Sequence, residues 1–232
     1  MGTITTGRPL DEDGTPVDGP ALQMDPDGPA ATAFAESPYP LASSPAAEMW
    51  SAIAQHPARD GSDVPAMLVW LGPDALELPP HAHSNGSEYF RALEGPVTLV
   101  VDGEEHRLGP GEDITVDPGR EHYFRNDTDG YVSFYVEPPW FETVEVQFSF
   151  FGMDHEGVFS RDGSYAEPDL FQGLLFSEYI SDGTRIDMGP VAVQRFLWAT
   201  VGRLARAMGR QAVDARYLDP GYWRRTVEQP SL

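Results

Sequence analysis

From Val64 to Glu137 the chain alternates short apolar runs with turn-forming residues. PAMLVWL, EYFRAL, VTLVV, DITV, HYFRN and YVSFYVE recur about every ten residues, with Gly, Pro, Asn or Asp between them. Short strands at that spacing predict an antiparallel barrel or sandwich. Asp102-Gly103, between VTLVV and EEHRL, predicts a two-residue hairpin turn. The same reading extends to VEVQFSFF: Val144, Val146, Phe148 and Phe150 alternate with Glu145, Gln147 and Ser149, as in a strand with one buried face. Beyond Gly152 the period changes. FQGLLFSEYI (171–180) and PVAVQRFLWATVGRLARAMG (190–209) predict helices. In the second, Leu197, Val201, Leu204, Ala205 and Met208 share one face, with Pro190 at the start and Gly209 at the stop.

The N-terminal part reads differently. Residues 1–45 hold eight of the 22 prolines with glycine and aspartate among them, which predicts an arm or irregular cover outside the core. AAEMWSAIAQH (46–56) predicts a short helix, broken by turn chemistry from Pro57 to Asp63. A chain of 232 residues suits one main domain. The expected layout is therefore an arm at 1–45, a β-barrel domain at 46–152 and a helical extension at 153–232.

Charge narrows the partners. The formal net charge is -22, and all 15 basic residues are arginine. Such a surface repels phosphate backbones and excludes nucleic acid as a partner. The acidic, lysine-free composition resembles that of proteins from salt-accumulating halophilic archaea, and it predicts that stability depends on salt. The tail is distinct: residues 186–232 carry seven arginines against four acids, and the rest of the chain eight against 33. Its basic amphipathic helix is expected to pack on its own protein, against the acidic barrel or a second subunit, with a membrane surface as the alternative. With no cysteine there is no disulfide and no thiolate ligand, so a bound metal needs nitrogen and oxygen donors. The start, MGTITTGRPLDEDG, has neither a basic nor an apolar stretch, and no apolar run reaches membrane-helix length. A cytoplasmic protein without a membrane span is the expectation.

The candidate chemistry lies in His81-Ala82-His83, Glu88 and His122. Side chains alternate along a strand, so His81 and His83 project to one side and can grip one ion together. Glu88 follows five residues later, and His122 lies in a second Pro-Gly turn segment. His56, His106 and His155 read as surface or satisfied core residues.

These residues resemble the cupin family. HAHSNGSEYFRALEG fits its first motif, HxH-x4-E-x6-G, through His81, His83, Glu88 and Gly95. GEDITVDPGREHYFRN resembles the second, G-x5-P-x-G-x2-H-x3-N, through Gly111, Gly119, His122 and Asn126, with a short gap from Pro96 to Pro110. Ala75 stands where the first motif expects a glycine, and Asp117 where the second expects a proline. The ending, Gly209-Arg210 to Arg216-Tyr217, is similar to that of single-domain cupin-2 proteins with a helical tail.

The resemblance implies an all-β, antiparallel double-stranded β-helix (the jelly-roll or cupin barrel) with a C-terminal α-helical extension. It also implies one divalent transition metal, Fe, Mn, Ni, Zn or Cu, on His81, His83, Glu88 and His122. An octahedral ion so held keeps two positions for a small-molecule substrate or for substrate and dioxygen. Strand parity puts Phe90 and Phe124 beside the ligands as an apolar wall, and Asn126 where it can meet substrate; Tyr89, Arg91, Tyr123 and Arg125 face outward. Glu88 can serve as ligand or as general base. Three functions follow: a metal-dependent dioxygenase on a small aromatic or enolic compound, a non-redox isomerase or lyase on a sugar or keto acid, and a non-catalytic ligand-binding protein. A homodimer is expected, with the arm adding to a neighbouring sheet.

Overall fold

The computed structural model describes residues 2–232 and holds 13 strands in three sheets, with seven α-helices. In chain order these are β1 (Ile4–Thr6), β2 (Leu22–Met24), α1 (Pro29–Glu36), β3 (Ala42–Ser44), β4 (Met49–Gln55), α2 (Pro57–Asp60), β5 (Ala66–Leu71), β6 (His81–His83), β7 (Glu88–Glu94), β8 (Val97–Val101), β9 (Glu104–Leu108), β10 (Asp113–Val116), β11 (His122–Arg125) and β12 (Val132–Glu137). There follow α3 (Phe141–His155), α4 (Leu170–Tyr179), β13 (Thr184–Ile186), α5 (Val191–Leu197), α6 (Arg203–Ala207) and α7 (Pro220–Thr226).

A six-stranded sheet runs β10-β7-β12-β5-β4-β3 and a five-stranded sheet runs β13-β6-β11-β8-β9, antiparallel at every pairing. One core lies between them, where Met49, Ile53, Met67, Val69, Phe90 and Phe134 meet Val97, Leu99 and Val101. The six strands expected from PAMLVWL through YVSFYVE are all present. The Asp102-Gly103 hairpin forms as expected, with φ of 50° and 82° as a tight primed turn requires.

Several expectations fail. Residues 49–55, read as helix, are strand β4. Both its faces are buried, Met49 and Ile53 in the inter-sheet core and Trp50 and Ala52 in a second core on the far side. A strand covered twice loses its alternation, and a short unbroken apolar run does not separate helix from strand. The second core exists because residues read as an arm cover that outer face: Leu22, Met24, Ala30, Ala31 and Leu41 are buried against Trp50, Leu68 and Trp70.

VEVQFSFF, read as a strand, lies within helix α3. Val144, Phe148, Phe151 and Gly152 recur at helical spacing and are buried, while Val146 is only partly covered. Gly152 has a packing reason, since a Cβ there would run into the Tyr217 ring. An all-β barrel domain is therefore not what the chain builds: its sheets are closed by helices drawn partly from the predicted barrel.

The long helix expected at 190–209 is interrupted. Residues Trp198–Gly202 form a π-turn, which inserts one extra residue and rotates everything after it by about 100°. Ala205 is consequently buried, Leu204 and Met208 face solvent, and Gln194, ahead of the turn, and Gly202, its last residue, are buried too. Pro190 and Gly209 bound the run as read, Gly209 with a φ of 85°. Among the described residues no helix is long and apolar enough to cross a membrane.

Candidate metal centre

The four candidate ligands come from both sheets and meet between them. β6 carries His81 and His83 on one side of a three-residue strand, and His122 opens the adjacent β11, directly opposite His81 in the register. Glu88 opens β7 in the facing sheet, paired with Val116. One ligand atom from each of the four lies within 4.8 Å of all the others. His83, Glu88 and His122 are buried, and His81 is partly exposed at the rim.

Local chemistry places each ring. Asp117-Pro118-Gly119-Arg120 makes a tight turn with Pro at its second position and Gly119 at a φ of 82°, the geometry of a type II turn. Asp117 in place of proline leaves that turn intact. The Gly119 amide donates to the His83 carbonyl at 2.7 Å, which ties the turn to the first ligand strand. The Arg120 carbonyl accepts from His122 Nδ1 at 3.0 Å. Arg120 and the Glu121 amide are held in turn by Asp102 of the hairpin, at 2.8 and 2.9 Å.

All three imidazoles are fixed through Nδ1. His81 Nδ1 meets the Pro79 carbonyl at 3.2 Å, His122 Nδ1 that of Arg120, and His83 Nδ1 the Thr184 hydroxyl at 2.8 Å. A carbonyl accepts only, so on His81 and His122 the Nδ1 carries the proton and Nε2 is left to face the centre. There His83 Nε2 and His122 Nε2 lie 2.9 and 2.7 Å from the same oxygen of Glu88. Two inward nitrogens converging on one buried carboxylate oxygen need a shared cation, either a proton or a metal ion.

Without a metal, a shared proton shifts the acidities of the group. Burial alone pushes the Glu88 carboxyl up, but hydrogen bonds from His122 and His83 outweigh it and hold it at about 2. Burial pushes His122 down, yet its bond to Glu88 and that carboxylate's charge raise it above the ordinary 6.5. His81 goes the other way: burial, with the neighbouring imidazoles opposing Glu88, takes it down to about 4. Three nitrogens and one carboxylate oxygen, aimed inward and oriented from behind, fit a divalent transition ion, and these residues can hold one.

The wall beside the centre is aromatic. Phe90 lies 6.0 Å from His122 and 6.2 Å from Phe124, and Phe124 lies 4.8 Å from Phe134. Asn126 does not join it. Its amide donates to the carbonyls of Gly72 and Gly130 at 2.8 and 2.7 Å, and its oxygen accepts from Thr128. Asn126 is spent on bracing the 126–130 turn, so the expected substrate contact is corrected to a structural one.

Residues 67–136 match the sequence model of the Cupin domain family Cupin_2. That segment is a cupin-2 type domain. The match takes in all four candidate ligands and leaves out the cover of the second core, α3 and everything after it. No curated protein matches the chain.

Among solved structures, this cupin is similar to a sugar phosphate isomerase of the cupin superfamily from Silicibacter pomeroyi DSS-3, at 30% identity and a TM-score of 0.35 over 39% of this chain and 58% of that one. It is similar to the polyketide cyclase RemF from Streptomyces resistomycificus, at 27% identity and a TM-score of 0.35 over 40% of this chain and 66% of the other. A third likeness is KdgF from Halomonas sp., at 21% identity and a TM-score of 0.34, covering 41% and 84%. The chain spans less than two thirds of the length of the first two.

Thr184 was not foreseen from the sequence. It sits a hundred residues beyond His83, in a three-residue strand that pairs with β6 in the register Thr184↔His83. No local pattern marks so short a strand; its only trace is the β-branched pair Thr184 and Ile186 between two turn segments.

Proposed function

We propose that this cupin holds one divalent transition metal on His81, His83, Glu88 and His122 and acts as a metal-dependent enzyme of the dioxygenase class on a small aromatic or enolic substrate. The observation that carries the metal is the convergence of four donor atoms within 4.8 Å of one another, with the imidazoles oriented from behind. The apolar wall of Phe90, Phe124 and Phe134 supports the substrate class, since it offers flat faces and no hydrogen bonds to a polyol. When bound, the ion supplies Lewis acidity and, if redox-active, a means of using dioxygen.

The chain's own residues position the ligands. The aromatic wall lines one side of the centre, the Pro79 and Arg120 carbonyls hold His81 and His122 in the tautomer that leaves Nε2 facing inward, and the Thr184 hydroxyl orients the His83 ring. Glu88 serves as a ligand in this reading.

Elemental analysis of protein purified in salt tests the ligands: His81→Ala and His122→Ala should each lose the ion, and full stoichiometry in either overturns the assignment. Screening the loaded protein on small phenols and diketones with an oxygen electrode tests the reaction. Metal-dependent oxygen uptake is expected. Turnover that continues unchanged without air would replace the proposal with a non-redox isomerase or lyase, and saturable binding with no product would reduce it to a ligand-binding cupin.

A further inference from the structure

We propose that the cleft between the β1–β2 hairpin, the start of α1 and the outer face of the six-stranded sheet binds a small, neutral, polyhydroxylated ligand of about monosaccharide size. The cleft has a volume of about 310 Å³, and Gln23, Asp25, Trp70, Glu94 and Tyr131 line it. Sites for small molecules begin at about 300 Å³. Trp70 of β5, Ser133 of β12 and Glu94 of β7 stand opposite one another on three adjacent strands, which brings Trp70 and Glu94 to one wall. The metal centre lies between the two sheets, on the other side of these strands. The cleft is therefore a separate site, and it needs nothing from the proposed reaction.

The polar groups select the ligand. Trp70 is 1% exposed, and its buried indole Nε1 has no hydrogen-bond partner among the described residues. A buried N–H without an acceptor is costly, so the cleft calls for an acceptor. It also holds two carboxylates, each anchored at one oxygen: Glu94 Oε1 accepts from the Ala30 amide at 3.4 Å and Asp25 Oδ1 from the Asp27 amide at 3.1 Å. Burial raises the Glu94 carboxyl above its ordinary value, as for a carboxylate short of donors. Among the described residues no basic side chain lines the cleft, so an anion finds no counter-charge there. An ammonium group or a metal ion would meet the carboxylates but offers Trp70 no acceptor. A hydroxyl satisfies both, because it donates and accepts. Tyr131 spends its own hydroxyl on the Ala21 carbonyl at 2.7 Å, which leaves its ring, with that of Trp70, to pack against the carbon frame of a polyol.

Heteronuclear NMR of the nitrogen-labelled full chain tests the site, since each of the five tryptophans gives one indole N–H signal. The signal that Trp70→Phe removes is that of Trp70. Glycerol, D-glucose and myo-inositol are the probes, with methylammonium and sulfate as charged controls. The Trp70 signal is expected to move saturably with at least one polyol and with neither ion, whether zinc or a chelator is present. Glu94→Gln keeps the side-chain oxygen that meets α1 and removes the charge, and it should weaken the binding of that polyol by about tenfold. A Trp70 signal that stays fixed with all three polyols leaves the cleft to water and overturns the proposal. So does a saturable shift with methylammonium or sulfate, or a polyol affinity that Glu94→Gln leaves untouched.

Discussion

The Thr184 hydroxyl lies 2.8 Å from His83 Nδ1, so a strand of the C-terminal extension orients a ligand of the candidate metal centre. Outer partners of this kind fix ring orientation and tautomer and typically govern ten- to a hundredfold in metal affinity. Thr184→Val keeps the shape and removes the acceptor, and should weaken metal binding by about 10- to 100-fold. Thr184→Ser should recover most of it. Competition against a coloured chelator reads the affinity, and equal values for wild type and Thr184→Val would show that the hydroxyl is idle.

The Glu88–His122 pair predicts a pH window for the metal-free protein. Glu88 is depressed from 4.5 to about 2, so what it contributes is present above 4.5 and lost as pH falls toward 2. His122 is raised, so its contribution is complete below 6.5 and lost as pH climbs through its folded value. The stability advantage of wild type over His122→Gln should therefore peak between pH 4.5 and 6.5 and reach about 3 kcal/mol, the usual cost of breaking a buried pair. Guanidinium unfolding with chelator present measures it; an advantage that keeps growing above neutral pH contradicts the pairing.

Gly152 sits in α3 with no room for a methyl group against Tyr217. Alanine would gain about 1 kcal/mol of helix propensity but overpack the contact between α3 and the C-terminal turn, at about 1–3 kcal/mol. The clash should win. Gly152→Ala is expected to lower the Tm by about 2–4 °C for each kcal/mol of net loss, and an unchanged or higher Tm would mean that the ring moves aside freely.

Salt should matter to the whole fold. Several arginines are committed to ion pairs, Arg125 to both Asp127 and Glu105 and Arg216 to both Glu156 and Asp214, leaving a large surplus of carboxylates that repel one another. Ions screen that repulsion over about 3 Å at molar strength against about 10 Å at a tenth of that. The Tm should fall on desalting; one that holds steady or rises would refute a salt requirement.

What the sequence disclosed depends on how many sides of a segment are covered. β8 and β10 end in turns with strong local signals, Asp102-Gly103 and Pro118-Gly119, and the ligand pair on β6 is legible because a strand's two-residue period is built into the backbone. β4 was opaque because Trp50 and Met49 are buried on opposite faces, which erases the alternation that identifies a strand. α3 was misread for the opposite reason: Val144, Val146, Phe148 and Phe150 alternate by accident of composition, while the contacts that decide the matter, Phe148 with Trp223 and Gly152 with Tyr217, are made with residues some 65–75 positions away. Asn126 matched the motif but not the role, since a motif records a residue type and not the atoms it bonds to. Thr184 left no mark, being fixed only by its neighbour across the ladder.

The two ends of the chain are stitched together. Pro9 bridges to Val227, the Leu10 amide donates to Thr226, the Glu228 amide donates to Arg8, and the Arg8 guanidinium grips the Glu228 carboxylate at 2.8 Å. The unit that folds is therefore wider than the segment the family match delimits. Excising residues 67–136 would strip the outer side of Trp70 bare and leave His83 without its hydroxyl partner, so a minimal cupin cut from this protein should emerge sticky and poor at retaining metal, however faithfully it preserves the four ligands.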